Sequence, residues 1–430
     1  MVLVGALVVW QGAAGQNLVN EEEYRETVNL TMEDAKRMAL ENNRTLQNAT
    51  LETKKAHAQR WQAIATMLPQ ADVSMQYQNM CGYKMAMSGF KIPLNPNGTI
   101  SITASIALNG QMVVGALLSD LAIDMQDINR RNTELDLVID VETMYMTALA
   151  MERTINILDS SKTNLETLYK ATAGAVEVGA AEQTDADQIE VQLANVKNAI
   201  SSTERSTELI YNSLALLLGC GPDKKLVLTD DLETLMNIDN AVELLKSDFN
   251  IQDNNEYKLA EKNVELAERN VIMAGMAYIP TLSAYYQYSA KTYFGEDEGF
   301  NMTPPNVIGV TLSIPLWSSG KNAAGITEKK IAKMEAENQL ADARDGLIIA
   351  YRQAKYDLIN AYENYTIQEK SIDVMYRVMQ STTNKYQYGR ASSFDLTNAS
   401  TNLLNAQNNY ISAVITLVNA QKALKQILEK

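Results

Sequence analysis

The side chains that could carry chemistry are few and badly placed for it. The chain has one histidine, His57, in a polar helical stretch, and two cysteines, Cys81 and Cys220. A zinc centre or a nucleophilic triad needs more such groups, set at ligand or relay spacing. One cysteine falls in a strand-like run and the other after a helix, so no disulfide between them is expected. Acidic residues are plentiful, 52 Asp and Glu against 37 Lys and Arg, yet no group of them has a catalytic spacing. The pattern predicts no enzyme, no metal site and no cofactor. Two carboxylates stand out by position alone: Asp185 and Asp395 each follow a glycine, Gly179 and Gly389, by six residues. A carboxylate at a helix start meets the positive end of the helix dipole. Net charge is -15, which argues against nucleic acid as partner, since no basic stripe is available to neutralise phosphates.

Those glycine–aspartate pairs belong to a longer duplication. Met67-Leu68-Pro69-Gln70 through Gln78 returns in kind as Tyr278-Ile279-Pro280-Thr281 through Ser289. Ser105-Ile106-Ala107-Leu108 returns as Ser313-Ile314-Pro315-Leu316, and Val178-Gly179 as Tyr388-Gly389. The offsets are 211, 208 and 210, so one architectural unit occurs twice. Each copy reads helix, strand, strand, long helix, helix. The expected boundaries are a first repeat over 16–220, a linker over 221–236 and a second repeat over 237–430. Residues 1–15 resemble the remnant of a secretory signal: an apolar run to Trp10, then small residues, but no basic start. No other apolar run reaches the ~20 residues of a spanning helix.

Four stretches alternate with period 2. Ala71, Val73, Met75 and Tyr77 face one way and Asp72, Ser74, Gln76 and Gln78 the other. Ile100 through Leu108 alternates with Ser101 through Asn109, Leu282 through Tyr288 with Thr281 through Gln287, and Ile308 through Leu316 with Gly309 through Pro315. Strands are expected over about 70–82, 99–110, 281–293 and 306–317, each able to supply the ~9–11 residues of a membrane-spanning strand. Pro93, Pro96, Asn97 and Gly98 mark one intervening loop, and Gly295, Gly299, Pro304 and Pro305 the other. Thr31-Met32-Glu33-Asp34 opens a helix that Pro69 ends. From Met112 to Val176 there is no proline, and Leu121, Met125, Ile128, Leu135 and Ile139 form a coiled-coil-like seam. The chain turns at Gly179 and returns to Gly219 over half that length. The missing half matches the helix over 31–67, so two shorter helices are expected to stack end to end beside the long one. The second copy repeats the plan, with hairpins over 112–219 and 320–429.

Four strands with one apolar face cannot close alone. In lipid an unpaired backbone group costs several kcal/mol, so every strand edge must be paired. Eight strands would leave an interior filled by side chains and twelve leave room for water. Two or three copies would serve geometrically.

In these residues the chain resembles the TolC family of outer-membrane efflux proteins, over essentially all of 30–430. The resemblance is carried by Leu30-Thr31-Met32-Glu33-Asp34-Ala35 with Ala39-Leu40-Glu41-Asn42-Asn43, by the Leu68-Pro69 and Ile279-Pro280 junctions, by Leu312 through Leu316 with Gly320, by Tyr388-Gly389 through Asp395, and by the closing alanine-rich helix. Arg44 departs from the pattern, which usually has proline there. The resemblance implies an α+β membrane protein: long antiparallel helices forming an α-barrel across the periplasm, and four strands per chain in a homotrimeric twelve-stranded β-barrel in the outer membrane of a Gram-negative bacterium. Such proteins are passive exit ducts of tripartite efflux or type I secretion systems. Their partners are outer-membrane lipid, a periplasmic adaptor (membrane fusion) protein and an inner-membrane pump of RND, ABC or MFS type.

The resemblance also assigns positions. The turns at Gly179 and Gly389, with Ala180, Arg390, Ser392 and Ser393, correspond to adaptor-docking tips. Asp395 corresponds to a carboxylate of the channel constriction; three of them on an axis would resist joint ionisation and attract cations. The second ring position falls on Asn398, so a weaker cation site is expected. Tyr386 and Asp185 match positions that hold neighbouring hairpins shut. Trp317 and Tyr278 are expected at the membrane interface. The alternative is a soluble periplasmic coiled-coil adaptor or scaffold, which explains the helices and leaves four one-sided strands unexplained. Cargo is not legible in the sequence.

Overall fold

The computed structural model describes residues 27–87, 90–93, 95–221, 224–235, 238–294 and 304–429. The signal-like segment over 1–15 lies outside the described residues. In chain order the strands are β1 (Thr27–Leu30), β2 (Gln70–Gln78), β3 (Lys84–Met87), β4 (Phe90–Pro93), β5 (Asn97–Leu108), β6 (Lys225–Leu228), β7 (Thr281–Tyr293) and β8 (Asn306–Ser313). The helices are α1 (Met32–Asn42), α2 (Arg44–Ala65), α3 (Gly110–Glu177), α4 (Gln183–Leu217), α5 (Leu232–Leu235), α6 (Ile238–Lys246), α7 (Asn255–Gly275), α8 (Lys321–Gln387) and α9 (Ser393–Leu428). Two compact bodies result. One draws on described residues within 1–43, 140–237 and 369–415, the other on described residues within 44–139, 238–368 and 416–430. Each takes segments from both halves of the chain.

The second body holds the main sheet, in the order β2-β5-β7-β8 with every neighbour antiparallel. The expected strands are all present. Two are shorter than expected: the first ends at Gln78 rather than 82, and the last at Ser313 rather than 317, because Pro315 has no N–H to give a ladder. Ser319 and Gly320 then turn with φ of 49° and 82° into α8. At the junction of β5 with α3, Gly110 lies so close to Met276 that a Cβ there would come within 2.7 Å of its sulfur.

The expected single helix over 31–67 is two helices parted at Asn43, whose backbone is extended at ψ 125°. No proline does this. Asn43 is buried, and its side-chain amide donates to the Leu217 carbonyl near the end of α4, at 2.9 Å. Asn254 plays the same part before α7: extended at ψ 127°, it donates to the Ile427 carbonyl near the end of α9, at 3.2 Å. The Asn255 N–H, first of α7, donates to the Glu429 carboxylate. Helix ends leave orphan carbonyls and N–H groups, and these bonds satisfy both sets where α9 abuts α7, the expected end-to-end stacking.

Two short elements, one in each body, have no counterpart in the sequence reading. β1 pairs in parallel with β6, and the fully buried Tyr145 of α3 clamps them: its hydroxyl lies 2.8 Å from the Leu30 carbonyl and 3.0 Å from the Asp230 carboxylate, which also accepts from the Met32 N–H. Burial pushes the Tyr145 phenol up to about 12. β3 and β4 form the other such element, an antiparallel hairpin within the β2–β5 connection of the second body.

Gly219, which ends α4 in the first body, has φ +70°, and a Cβ there would sit 2.4 Å from the Asn42 carbonyl oxygen. Gly219→Ala is therefore expected to destabilise the protein by more than ~1 kcal/mol, read as a lowered midpoint in denaturant titration.

Candidate functional site

Two features meet the sequence-predicted site residues: the helical turns of the first body and the two faces of the sheet in the second.

The turns are built alike. After α3, Gly179 takes φ +73°, its N–H donates to Val176 O at 2.9 Å and the Ala180 N–H to Ala175 O at 2.8 Å. After α8, Gly389 takes φ +68°, its N–H donates to Tyr386 O at 2.9 Å and the Arg390 N–H to Lys385 O at 2.7 Å. Glycine reaches this left-handed backbone without a Cβ penalty, and the pair of bonds closes the helix end. The side chains at the turns point outward: Val178 and Tyr388, each just before its glycine, are both 79% exposed. Ala180, Arg390 and Ser392 are exposed as well.

The returning helices start on capping boxes. Asp395 accepts from the Ser392 N–H at 3.0 Å and hydroxyl at 2.8 Å, while Ser392 Oγ accepts from the Asp395 N–H at 3.1 Å. The Ser392 N–H first, then its hydroxyl, hold the Asp395 carboxyl below the ordinary aspartate value. Asp185 likewise accepts from the Glu182 N–H at 3.3 Å. Asp395 and Asn398 are both exposed.

Within one chain the two hairpins are bonded to each other. Ser393, expected at the exposed tip, is buried, and its hydroxyl donates to the Asp185 carboxylate. Tyr386 pairs its hydroxyl with that of buried Thr172 of α3 at 3.1 Å. Tyr386 also packs on an apolar cluster of Leu165, Leu168, Ile189, Leu193 and Leu396. The structure thus joins Asp185 to Ser393 and Tyr386 to Thr172, and does not join Asp185 to Tyr386. Thr172 gave no sequence signal, because a hydroxyl in mid-helix looks like any exposed one. Beside the turns a cleft of about 850 Å³ has a mixed lining, polar at Asn164, Gln380 and Asn384 and apolar at Ile157, Ile372 and Met379 among others.

In the sheet, register sorts the side chains. One face carries the cross-strand rows Val73–Ile102–Tyr288–Asn306, Ala71–Ala104–Tyr286–Ile308 and Leu108–Leu282–Leu312; the other carries Ser74–Ser101–Ser289, Asp72–Thr103–Gln287–Val307 and Ala107–Ser283–Thr311. On the second face the Tyr285 ring covers Gly309, where a Cβ would meet it at 2.4 Å. No described hydrophobic side chain of the four strands is buried: Met75 is 77% exposed, Ile308 78% and Val310 70%. Trp317 and Tyr278, beside the helix-proximal strand ends, are exposed too. Among the described residues no helix is long and apolar enough to cross a membrane, which says nothing of strands.

Comparison with known proteins adds the following. The profile of the outer membrane efflux protein family matches residues 36–220 and 251–429. The chain is 26% identical to the toluene efflux pump outer membrane protein TtgC of Pseudomonas putida over 320 residues, 69% of this chain and 61% of TtgC. It thus spans about three fifths of that relative's length. It is 23% identical to outer membrane protein TolC of Escherichia coli over 418 residues, 86% of this chain and 77% of TolC. The crystal structure of the outer membrane protein VceC from Vibrio cholerae superposes with a TM-score of 0.72 at 18% identity, covering 92% of this chain and 95% of VceC; at that identity the likeness is one of fold.

Because the Asp395 carboxyl is held below its ordinary value, its stabilisation is fully present above the unfolded aspartate pKa and drains as pH falls through the lower folded one. Asp395→Ala is expected to cost the first turn of α9 several-fold in amide exchange protection near neutral pH. The loss should shrink to nothing at strongly acid pH, measured by hydrogen exchange across a pH series.

Proposed function

Because this chain belongs to the outer membrane efflux protein family, we propose that it is the passive exit duct of a tripartite efflux or type I secretion system. It is an outer-membrane protein, and no chemistry is assigned to it. The observation that carries the proposal is the sheet: four strands with no described apolar side chain buried, most of them on a face opposite one dominated by hydroxyl and amide groups. In water that face is a liability; in hydrocarbon it is a solvent match, and the opposite face supports an aqueous path.

The edges decide the assembly. Among the described residues β2 and β8 are each paired on one side only, and in lipid an open edge costs several kcal/mol per unpaired group. Three copies, with β2 of one against β8 of the next, close twelve strands around a lumen wide enough for water. The recurring helix–strand–strand–helix–helix order supports reading the chain as two copies of one unit, 16–220 and 237–430, joined by the linker 221–236.

The outward-pointing turns support docking to a periplasmic adaptor, itself joined to an inner-membrane pump. Gly179, Ala180, Gly389, Arg390 and Ser392 form the docking tips, and Val178 and Tyr388 join them. Ser393 leaves that set for the Asp185 bond, which with Tyr386 holds the hairpins together. In the trimer three Asp395 carboxylates line the constriction, and Asn398 leaves the next ring uncharged. Trp317 and Tyr278 anchor the membrane interface. The sheet's hydroxyl and amide wall favours no particular cargo, so selection falls to the pump. A soluble scaffold accounts for the helices but leaves the uncovered apolar face in water.

Cell fractionation separates the readings. The duct predicts a membrane-bound species that needs detergent and runs as a heat-modifiable trimer on gels. Release as a monomer by salt or osmotic shock would overturn it.

A further inference from the structure

The four strands β2, β5, β7 and β8 contain two charged residues, Asp72 and Lys291. Register places both on the hydroxyl-and-amide face: Asp72 in the row of Thr103 and Gln287, Lys291 in the row of Thr99 and Gln76. Along β7 these rows lie four residues apart, ~13 Å at 3.4 Å per residue. They also lie toward opposite ends. Asp72 is two residues into β2 on the side of α2, whereas Lys291 is two residues before the end of β7, on the side of the β7–β8 connection. The Lys291 ammonium sits over the Tyr293 ring of its own strand, 5.0 Å from the centroid, a cation–π contact that holds the charge at the wall.

We infer that Asp72 and Lys291 are the selectivity-determining residues of the strand-walled passage, an acidic ring at its helix end and a basic ring at its loop end. The inference rests on the duct reading, in which this face lines the lumen and symmetry repeats each charge around the wall. Fixed charge in a low-dielectric cleft concentrates counter-ions. Cations entering by the acidic end and anions entering by the basic end accumulate between the rings; driven the other way, both are depleted. The passage therefore conducts cations better from the helix side to the loop side than in reverse, and resists cations arriving from the loop side. The net contribution of the strands is nil, so the asymmetry lies in the order of the charges.

Channels inserted from one side of a planar bilayer test this, with the neutral pair Asp72→Asn/Lys291→Gln as baseline for whatever asymmetry the helical part contributes. At 0.01 M KCl, where the Debye length is about 30 Å, the ratio of current with the helix side positive to that with it negative is expected to exceed the baseline by about 1.5-fold. In the charge swap Asp72→Lys/Lys291→Asp it should fall below the baseline by a similar factor. At 1 M, with a Debye length of about 3 Å, the three proteins should converge. A swap and a wild type that both match the baseline, or depart from it in the same sense, overturn this inference alone. A wild type that forms no channels overturns the duct reading and this inference with it.

Discussion

A β-strand has two obligations, to pair its backbone and to place its alternate side chains in a medium that suits them. In β2, β5, β7 and β8 register gathers most apolar side chains on one face and most hydroxyls and amides on the other, and no described apolar side chain is buried. Fully burying one Val, Leu or Ile side chain is worth about 1.5–3 kcal/mol, so a soluble fold leaving this many uncovered would forgo much of its driving force. The outer edges of β2 and β8 add a row of backbone groups without a strand partner among the described residues. Lipid on one face and further copies at the edges meet both obligations at once, and the proposed closed barrel follows from that pair of demands more than from any single residue.

The helices face a different problem. A helix of 67 or 68 residues, as α8 and α3 are, is about 100 Å long, and its shorter partners must cover it in pieces. Each piece ends with orphan backbone groups. Asn43 and Asn254 answer this with an extended backbone and a side-chain amide on a carbonyl of a returning helix. At the turns, glycine and the boxes of Ser392 with Asp395 and of Glu182 with Asp185 do the same work. The residues read as constriction carboxylates are thus already helix caps, and the two roles are compatible, because a capping carboxylate at a helix start still presents its charge to solvent.

Much of this was legible in the sequence, for identifiable reasons. Period-2 alternation is strong where one face is purely apolar, and it located all four strands of the sheet. It overran at β2, whose ladder ends at Gln78 opposite Asn97, and at β8, where Ile314 and Leu316 keep the alternation past the point where Pro315 ends the ladder. The break at Asn43 was missed because proline was the expected breaker and Arg44 stands in its place; the true cause is a bond to Leu217, distant in sequence. β1, β3, β4 and β6 are four residues each, too short to show a period. At the candidate site, Ser392 and Asp395 form a local box readable from spacing. The Ser393–Asp185 and Thr172–Tyr386 bonds join residues 208 and 214 apart, and no local pattern announces them.

Which medium each face of the sheet meets can be measured directly. Single cysteines placed along β7 from Leu282 to Ala290, each carrying a fluorophore in the membrane-inserted protein, can be challenged with a lipid-confined quencher and a water-confined one. Alternation is expected, with lipid quenching at Leu282, Ala284, Tyr286, Tyr288 and Ala290 and aqueous quenching at Ser283, Tyr285, Gln287 and Ser289. Uniform aqueous quenching along the strand, or lipid quenching on the hydroxyl face, would contradict it.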